Sequence, residues 1–463
     1  MIRVLNQYFS GRVFILIASE NFLILSGIWV SLAIHTGSLR LSAEQYPGLL
    51  WRVVLVTLLC QLCMYYADVY DLRKMTSRLE LGVRIAQAIG AAAILIALLF
   101  FLIPQARLAS GVVERFMLVI IGTILMWRVA VEWLNRVYGG QERVLLVGSG
   151  HEVYDLAREI RARNDLPIKM VGVIGEGGPV ADEFHGLPSL GYIEELERVV
   201  NEQSPDRIII ALRERRRQLP VDYLLTRRLS GMRIEDATTL YQSITGRVPV
   251  SSVRPSSLIF TDGFRQSETS KLYGRIAGFV GAILALLVAG PLMLLIALVI
   301  KLESRGPVFY KQERVGLNGK PFYCLKFRSM RADAEKSTGP VWASEQDPRI
   351  TRIGKWLRLL RLDELPQFIN VLRGEMSFVG PRPERPFFVQ QLKEQIPFYD
   401  LRHYVRPGIT GWAQVSHHYG ASIEEAKYKL EYDLFYIKNC SISFDMLILF
   451  QTIKICLFGR GAR

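Results

Sequence analysis

The sequence predicts three parts in series: an α-helical membrane bundle, a Rossmann-like parallel α/β domain, and a basic C-terminal domain built around a re-entrant helix. Three observations carry this reading. Four apolar stretches of near-spanning length occupy the first 138 residues. Short apolar runs then alternate with helical patterns as far as residue 238. A fifth long apolar run follows, with Gly290-Pro291 inside it and basic residues on both flanks. The bulk numbers agree. Half of the 463 residues are hydrophobic, yet Lys and Arg outnumber Asp and Glu by 57 to 43. An apolar chain with net charge +14 fits a membrane protein whose basic loops meet anionic lipid or an anionic substrate. Apolar runs this long argue against a soluble nucleic-acid binder.

The four stretches cover 13–34, 50–66, 84–103 and 112–131. Each is near the ~20 residues that a helix needs to cross hydrocarbon. Arg52 and Gln61 interrupt the second. Arg3 and Arg12 precede the first stretch, Arg73, Lys74, Arg78 and Arg84 lie between the second and third, and Arg136 and Arg143 follow the fourth. The other connections carry fewer basic residues, so both ends of the bundle (1–138) are expected in the cytoplasm. No small-residue cleavage site follows the first stretch, which reads as an anchor and not a removable signal. The five cysteines, Cys60, Cys63, Cys324, Cys440 and Cys456, are scattered and suggest neither a disulfide framework nor a zinc site.

The pattern changes at Gly139-Gly140. Residues 143–147 form a β-type run, then come Gly148-Ser149-Gly150 and a helical pattern through Ala162. Residues 169–174 and 207–212 read as further strands, with a helix over 194–203 between them. This alternation predicts a small parallel sheet over 139–238. The glycine turn has the context of a dinucleotide-binding loop, but the third glycine position is Val153, and Glu176 comes late for a ribose ligand. The domain therefore reads more readily as a structural or regulatory module than as a cofactor site. Residues 239–270 are rich in Gly, Pro and Ser and read as a linker with little regular structure.

The fifth run, 276–300, is flanked by Lys271 and Arg275 on one side and by Lys301, Arg305, Lys311 and Arg314 on the other. A full crossing would put the rest of the chain outside the cytoplasm. Positive charge on both flanks argues instead that both stay inside. Proline removes a backbone hydrogen bond and kinks a helix. A helix broken at Gly290-Pro291, entering one leaflet and turning back, is the expected form. The apolar segment 443–458 is short and contains Lys454, so it reads as an amphipathic interfacial or packed helix.

Candidate chemistry is densest between Lys326 and Gln414. Asp363-Glu364 precede Leu365-Pro366-Gln367 and a helical pattern. Proline suits a first helical turn, so the carboxylates sit at a helix N-terminus, where the dipole would keep them ionised. An ionised Asp can attack phosphorus, and a neighbouring carboxylate can hold Mg²⁺. Taken alone, such a pair is usually a helix cap. The cationic surround changes its meaning. Lys326 and Arg328 alternate in Lys-Phe-Arg-Ser-Met. Arg349, Arg352, Lys355, Arg358 and Arg361 lie just upstream of the pair, Arg382 sits in Gly-Pro-Arg-Pro, and Arg402 and Arg406 precede Pro407-Gly408-Ile409-Thr410-Gly411. Arginine forks clamp diphosphates, and phosphoryl transfer depends on positioning and charge neutralisation.

At these residues the chain resembles the bacterial sugar transferase family, the monotopic phosphoglycosyl transferases that start glycan assembly on polyprenyl phosphate. The resemblance rests on Lys-Phe-Arg-Ser-Met (326–330), Asp-Pro-Arg-Ile-Thr (347–351), Leu-Asp-Glu-Leu-Pro-Gln (362–367), Met-Ser-Phe-Val-Gly-Pro-Arg-Pro (376–383) and Arg-Pro-Gly-Ile-Thr-Gly-Trp-Ala-Gln-Val (406–415). It covers 271–463, and the preceding spans and nucleotide fold resemble the long form of the family. Tyr-Gly-Ala-Ser (419–422) and the Gly-Arg-Gly-Ala-Arg terminus look like its exosortase-associated exopolysaccharide branch. The resemblance implies a ping-pong transfer of hexose 1-phosphate from UDP-glucose or UDP-galactose to polyprenyl (undecaprenyl) phosphate. Asp363 would be the nucleophile and Glu364 the Mg²⁺ ligand. Arg358 and Arg382 would bind anions, with Lys326, Arg328, Arg402 and Arg406 as further substrate-binding candidates. The family often has Ser-Pro at the helix break where this chain has Gly290-Pro291. The sequence leaves a homo-oligomer open. A membrane-bound dehydratase or epimerase would need a Tyr and Lys four apart beside the cofactor, and only Tyr70–Lys74, upstream of the fold, fits that spacing. A catalytically dead export scaffold is the non-enzymatic rival, disfavoured by the intact Asp363-Glu364 pair.

Overall fold

A computed structural model of the chain describes residues 2–4, 7–9, 11–38, 48–71, 78–108, 111–138, 140–148, 150–163, 165–176, 183–184, 186–212, 219–250, 264, 268–331, 349–417 and 422–458. The chain separates into two units, Met1–Val4 with Tyr8–Leu240 and Leu5–Gln7 with Tyr241–Arg463.

The first unit begins with four long apolar helices: α1 (Gly11–Thr36), α2 (Leu49–Tyr66), α3 (Arg78–Leu102) and α4 (Val112–Tyr138). Helices α1 and α3 each pack against α2 and α4, around Ile24, Ile28, Met64, Ile89, Phe116 and Ile120. Phe22, Ile94, Leu118 and Met126 face outward. Helices apolar all round belong in an apolar medium. One group of polar residues in and beside these helices turns inward and pairs. Gln61 donates to the Tyr70 hydroxyl at 2.8 Å, Tyr70 donates to Glu20 at 2.5 Å, and Arg128 pairs with the same carboxylate. That is the arrangement expected of ionisable groups among apolar helices. Tyr70 is therefore buried in the bundle core and is no cofactor tyrosine of a dehydratase; Lys74 lies outside the described residues.

An α/β layer follows. Strands β1 (Glu142–Val147), β2 (Ile168–Gly175), β3 (Glu183–Phe184), β4 (Leu187–Tyr192), β5 (Arg207–Ile210) and β6 (Arg233–Asp236) form one sheet in the order β3-β4-β2-β1-β5-β6. Five strands are parallel and β3 is antiparallel to β4. Helices α5 (His151–Arg161), α6 (Leu196–Gln203) and α7 (Val221–Leu229) connect them. The three predicted strands are all present. The sequence pattern missed the two-residue β3 and also β4 and β6, whose segments Leu-Pro-Ser-Leu-Gly-Tyr and Arg-Ile-Glu-Asp lack a run of apolar residues. In the glycine turn, Gly148 adopts φ +132°, and a Cβ there would stand 2.6 Å from the Ala211 carbonyl oxygen. Glycine is thus required by close backbone approach as well as by φ. Val153 is buried in the domain, and Ser149 lies outside the described residues.

The expected linker is corrected in part. Residues Ala237–Thr245 form α8, and beyond it Val248 and Val250 are buried in the core of the second unit. The Val248 amide donates to the Glu431 carbonyl at 3.0 Å. Two valines in a turn-rich stretch gain more from burial than the local composition indicates. Residues 251–263 and 265–267 lie outside the described residues.

The second unit is organised on α9 (Glu268–Glu303), one helix of 36 residues. The expected break at Gly290-Pro291 is corrected: the helix runs on through both residues, with Pro291 inside it. Proline deletes a single hydrogen bond, and in apolar surroundings the neighbouring carbonyl–amide bonds have every reason to stay closed. Both halves of α9 pack on the same unit. Gly281 and Ala282 meet Phe378, Val371 and Met376, whereas Ile296 and Ile300 pack with Phe327 and Leu357. The antiparallel pair β7 (Phe309–Val315) and β8 (Pro321–Phe327) comes next, then α10 (Arg352–Leu359), a 3₁₀ turn at Leu362–Glu364 and α11 (Gln367–Leu372). Strand β9 (Ser377–Val379) pairs in parallel with β10 (Gly408–Thr410), and α12 (Pro386–Gln395) lies between them in sequence. Helices α13 (Trp412–Ser416), α14 (Ile423–Asn439) and α15 (Ile442–Phe458) close the chain around a core that includes Val379, Trp412, Leu434, Phe435, Phe444 and Ile448. Helix α15 buries one face while Ile442, Met446 and Ile453 stay exposed. Among the described residues five helices, α1 to α4 and α9, are long and apolar enough to cross a membrane by length and composition.

Candidate active site

The sequence motifs meet in pairs. Arg331 donates through its amide to the Arg349 carbonyl, and Thr351 to that of Ser329, joining Lys-Phe-Arg-Ser-Met to the residues that open α10. Thr351 caps α10 by accepting from the Gly354 amide at 2.9 Å. The β9–β10 pairing sets Met-Ser-Phe-Val-Gly-Pro-Arg-Pro against Arg-Pro-Gly-Ile-Thr. There Gly408 is irreplaceable for space: a Cβ would stand 2.1 Å from the Gly380 nitrogen.

Asp363 and Glu364 lie in the 3₁₀ turn ahead of α11, entered through Arg361 at φ +53°. A non-glycine residue there costs roughly 1–2 kcal/mol, which the surrounding contacts must offset. Glu364 Oε1 accepts from Lys326 Nζ at 3.0 Å and from Arg382 Nη2 at 2.6 Å. Lys326 comes from β8 and Arg382 from the turn after β9. A residue the sequence reading missed holds these pieces together. Asn370, fully buried on α11, accepts from the Leu325 amide at 2.9 Å and donates to the Tyr323 carbonyl at 2.8 Å. It thereby locks the strand bearing Lys326 to the helix that follows Glu364.

The two carboxyl groups sit in opposite electrostatic states. Burial pushes Asp363 above its ordinary value and Glu364 adds to this, against the charges of Lys326, Arg358 and Arg382. Burial would raise Glu364 too, but Arg382 and Lys326 outweigh it and hold that carboxyl well below the usual range. The expected role of a helix dipole is therefore corrected for Glu364. Helix α11 has six residues, and the cations, not the dipole, govern Glu364. Environments that push two titratable neighbours apart suit different roles: a more basic carboxylate for attack and a permanently charged one for holding cations.

The structure brings Asp363, Glu364, Lys326, Arg358 and Arg382 together and gives Arg328 and Arg402 protein partners. Arg328 is buried, and its fork donates to the Ser304 and Arg305 carbonyls at 2.8 and 3.1 Å, capping the C-terminal end of α9. Arg402 is also buried; it donates to Tyr399 and the Arg382 carbonyl and forms an ion pair with Asp433. For these two the guanidinium is taken up by the protein. Arg406 is half-buried beside Arg275, and burial together with that charge lowers its pKa. A guanidinium satisfies a carbonyl as readily as a phosphate, and residue type does not tell which it meets.

Among the described residues no group of three or more His, Cys, Asp or Glu side chains could hold a metal ion. The donor set still fits Mg²⁺, which commonly takes one or two carboxylates and completes its shell with water and substrate phosphate oxygens. Both cation contacts of Glu364 fall on Oε1.

Comparison with known proteins agrees with this geometry. The family described as Bacterial sugar transferase matches residues 269–459, and the one described as CoA-binding domain matches 66–222. A UDP-N-acetylgalactosamine-undecaprenyl-phosphate N-acetylgalactosaminephosphotransferase of Aeromonas hydrophila is 46% identical over 48% of this chain and 52% of its own length. An undecaprenyl-phosphate glucose phosphotransferase of Komagataeibacter xylinus is 38% identical over 69% of this chain and 60% of its own length. The matched region thus spans between half and two thirds of these two relatives. A UDP-glucose:undecaprenyl-phosphate glucose-1-phosphate transferase of Klebsiella pneumoniae is 34% identical over 69% of both chains. With that coverage, and with the family's motifs gathered around Asp363 and Glu364, the chain belongs to the bacterial sugar transferase family.

Proposed function

We propose that the chain transfers a hexose 1-phosphate from a UDP-sugar to undecaprenyl phosphate, as the first membrane step of exopolysaccharide assembly. The observation that carries this is the adjacent carboxyl pair in opposite electrostatic states, with Lys326 and Arg382 converging on Glu364. The relatives' names supply the substrate class, and glucose and N-acetylgalactosamine are the sugars named for the three described above.

In this reading an Asp363 oxygen attacks the sugar-bearing phosphorus. The bond from that phosphorus to the bridging oxygen breaks, and UMP leaves with the electron pair. An oxygen of the polyprenyl phosphate then attacks the same phosphorus, the acyl-phosphate bond breaks, and Asp363 is restored as a carboxylate. The products are UMP and a polyprenyl diphosphate sugar. Burial makes Asp363 the more basic carboxylate and so the better nucleophile. Lys326, Arg358 and Arg382 offset the charge of the diphosphate and of the departing UMP. Glu364 would hold Mg²⁺, which neutralises diphosphate charge when bound.

The proposed setting is the bacterial inner membrane, with the second unit on the cytoplasmic face and the unbroken α9 held in one leaflet. The packing of both halves of α9 on the same unit supports this, since a helix that crossed the bilayer would carry its two ends to opposite sides. The test is to incubate the membrane-embedded protein with Mg²⁺, undecaprenyl phosphate and a panel of UDP-sugars, measuring UMP and lipid-linked sugar. Asp363→Asn should release UMP at a rate lower by about 10⁴-fold, as for loss of a nucleophile. An Asp363→Asn protein with full activity would sink the covalent step, and wild-type protein inert towards every donor would sink the transferase reading.

A further inference from the structure

Residues Gly380 to Glu384 form an extended turn without regular secondary structure, and yet its carbonyls from Pro381 to Glu384 are all engaged by distant residues. The Gly380 amide donates to the Thr410 carbonyl at 2.9 Å, and the Pro381 carbonyl accepts from the Gly408 amide at 3.0 Å. The Pro383 carbonyl accepts from Arg314 Nη1 at 2.8 Å, and the Glu384 carbonyl from the Val315 amide at 2.9 Å. Between the two prolines, the Arg382 carbonyl accepts from Arg402 Nη2 at 2.9 Å. The two prolines have no amide to satisfy.

Arg402 is in turn held on every side. Its Nη1 donates to the Tyr399 hydroxyl at 2.5 Å, its Nη2 lies 2.9 Å from Asp433 Oδ2, and its guanidinium stands 5.1 Å from the centre of the Tyr399 ring. Arg402, Tyr399 and Asp433 are each at most 5% exposed. A buried arginine and aspartate are costly to desolvate, and hydrophobic replacements of similar volume are often no less stable. Stability alone gives little reason to keep such a pair behind a turn. It reaches toward the candidate site through the carbonyl of the residue whose side chain contacts Glu364.

We propose that Arg402, braced by Asp433 and Tyr399, is a positioning residue: it fixes the backbone of Arg382 so that the Arg382 guanidinium stands on Glu364. The proposal rests on the transferase reading above for its catalytic consequence. A planar fork is required, because a single Nη2 serves Asp433 and the Arg382 carbonyl while Nη1 reaches Tyr399. Lysine can keep the charge pair with Asp433 but presents a single nitrogen and cannot reproduce the fork.

The test uses full-length protein in nanodiscs with Arg402→Lys, Arg382→Ala and the double variant. Two readouts are taken. Backbone hydrogen exchange of the peptide spanning 376–388 should rise at least tenfold in Arg402→Lys, while exchange in α14 and the thermal midpoint stay near wild type. UMP release should fall at least tenfold in kcat/KM for Arg402→Lys, and the double variant should be no slower than Arg382→Ala. Such non-additivity identifies a residue that acts through another, whereas a general loss of fold would add. Unchanged exchange in the turn, or an additive double variant, overturns the proposal. If Arg402→Lys loosens the whole unit, Asp433→Asn replaces it with the same expectations and the same grounds for rejection. Wild-type protein that releases no UMP fails the transferase reading and the catalytic half of the proposal, whereas the exchange result judges the backbone half on its own.

Discussion

Arg382 touches Glu364 at 2.6 Å from a turn whose carbonyls from Pro381 to Glu384 are each held by another part of the unit. Removing a preorganised charge from such a site typically costs about 10²–10³ in rate. Arg382→Ala is therefore expected to lower the UMP release rate by about 10²-fold, and Arg382→Lys, which keeps the charge without the fork, by less. Equal activity in Arg382→Ala would remove it from the machinery. A second residue gives a pH signature. Burial pushes His403 down to about 4, with Arg402 adding to this and Asp400 opposing. In the unfolded chain a histidine titrates near 6.5. Between these values the unfolded state binds a proton that the folded state refuses, so stability falls as pH drops from about 6.5 to 4, by up to about 3 kcal/mol. Asp433, which burial raises to about 6 against the charge of Arg402, works in the opposite direction over part of that window. The comparison that isolates His403 is urea unfolding of wild type against His403→Gln at pH 7 and pH 5. The variant should lose less stability on acidification, and equal losses would contradict the assignment.

At the scale of elements, the pieces of the site are short. The 3₁₀ turn has three residues, α11 six, and β9 and β10 three each. Elements of this size are not stable by themselves and depend on cross-links. Asn370 is the clearest one. Asn370→Ala leaves the Leu325 amide and the Tyr323 carbonyl buried without their partner, a loss of about 2–4 kcal/mol. The thermal midpoint in detergent should fall by several degrees, and UMP release should fall in protein that remains folded, because Lys326 and Glu364 lose their common support. A variant as stable and active as wild type would show that the strand and helix are held by packing alone. Element scale is also where sequence reading met its limits. The long apolar helices and strands β1, β2 and β5 were legible because hydropathy is a local property with a defined period. Strand β6, Arg-Ile-Glu-Asp, was not, because a sheet edge can recruit polar residues once β5 offers it a ladder. Helix α8 was hidden by the turn-rich stretch that follows it.

At the scale of the molecule, topology is the property with the largest consequences. If α9 crosses the bilayer, the candidate site lies outside the cytoplasm, away from nucleotide sugars. If it stays in one leaflet, the site faces them. A cysteine introduced at Gly319, in a background cleared of other reactive thiols, should be labelled by an impermeant maleimide only after the membrane is opened. Labelling of intact cells would reject the cytoplasmic placement of the second unit.

Length, hydropathy period and charge asymmetry sufficed to read several apolar helices, a parallel sheet and a basic catalytic region from the chain alone, because each depends on residues close together in sequence. The ordered motifs also marked Asp363, Glu364, Lys326 and Arg382, which the fold brings together. What they could not convey is which arginines converge on the carboxylates. Lys326 meets Glu364 across 38 residues, whereas Arg328, two positions on, caps α9 instead. Arg402 looks in sequence like an anion binder and in the fold serves a carbonyl. The difference is long-range. An arginine's fork goes to whichever acceptor the folded chain leaves in reach, and that is set by packing between elements far apart in the sequence.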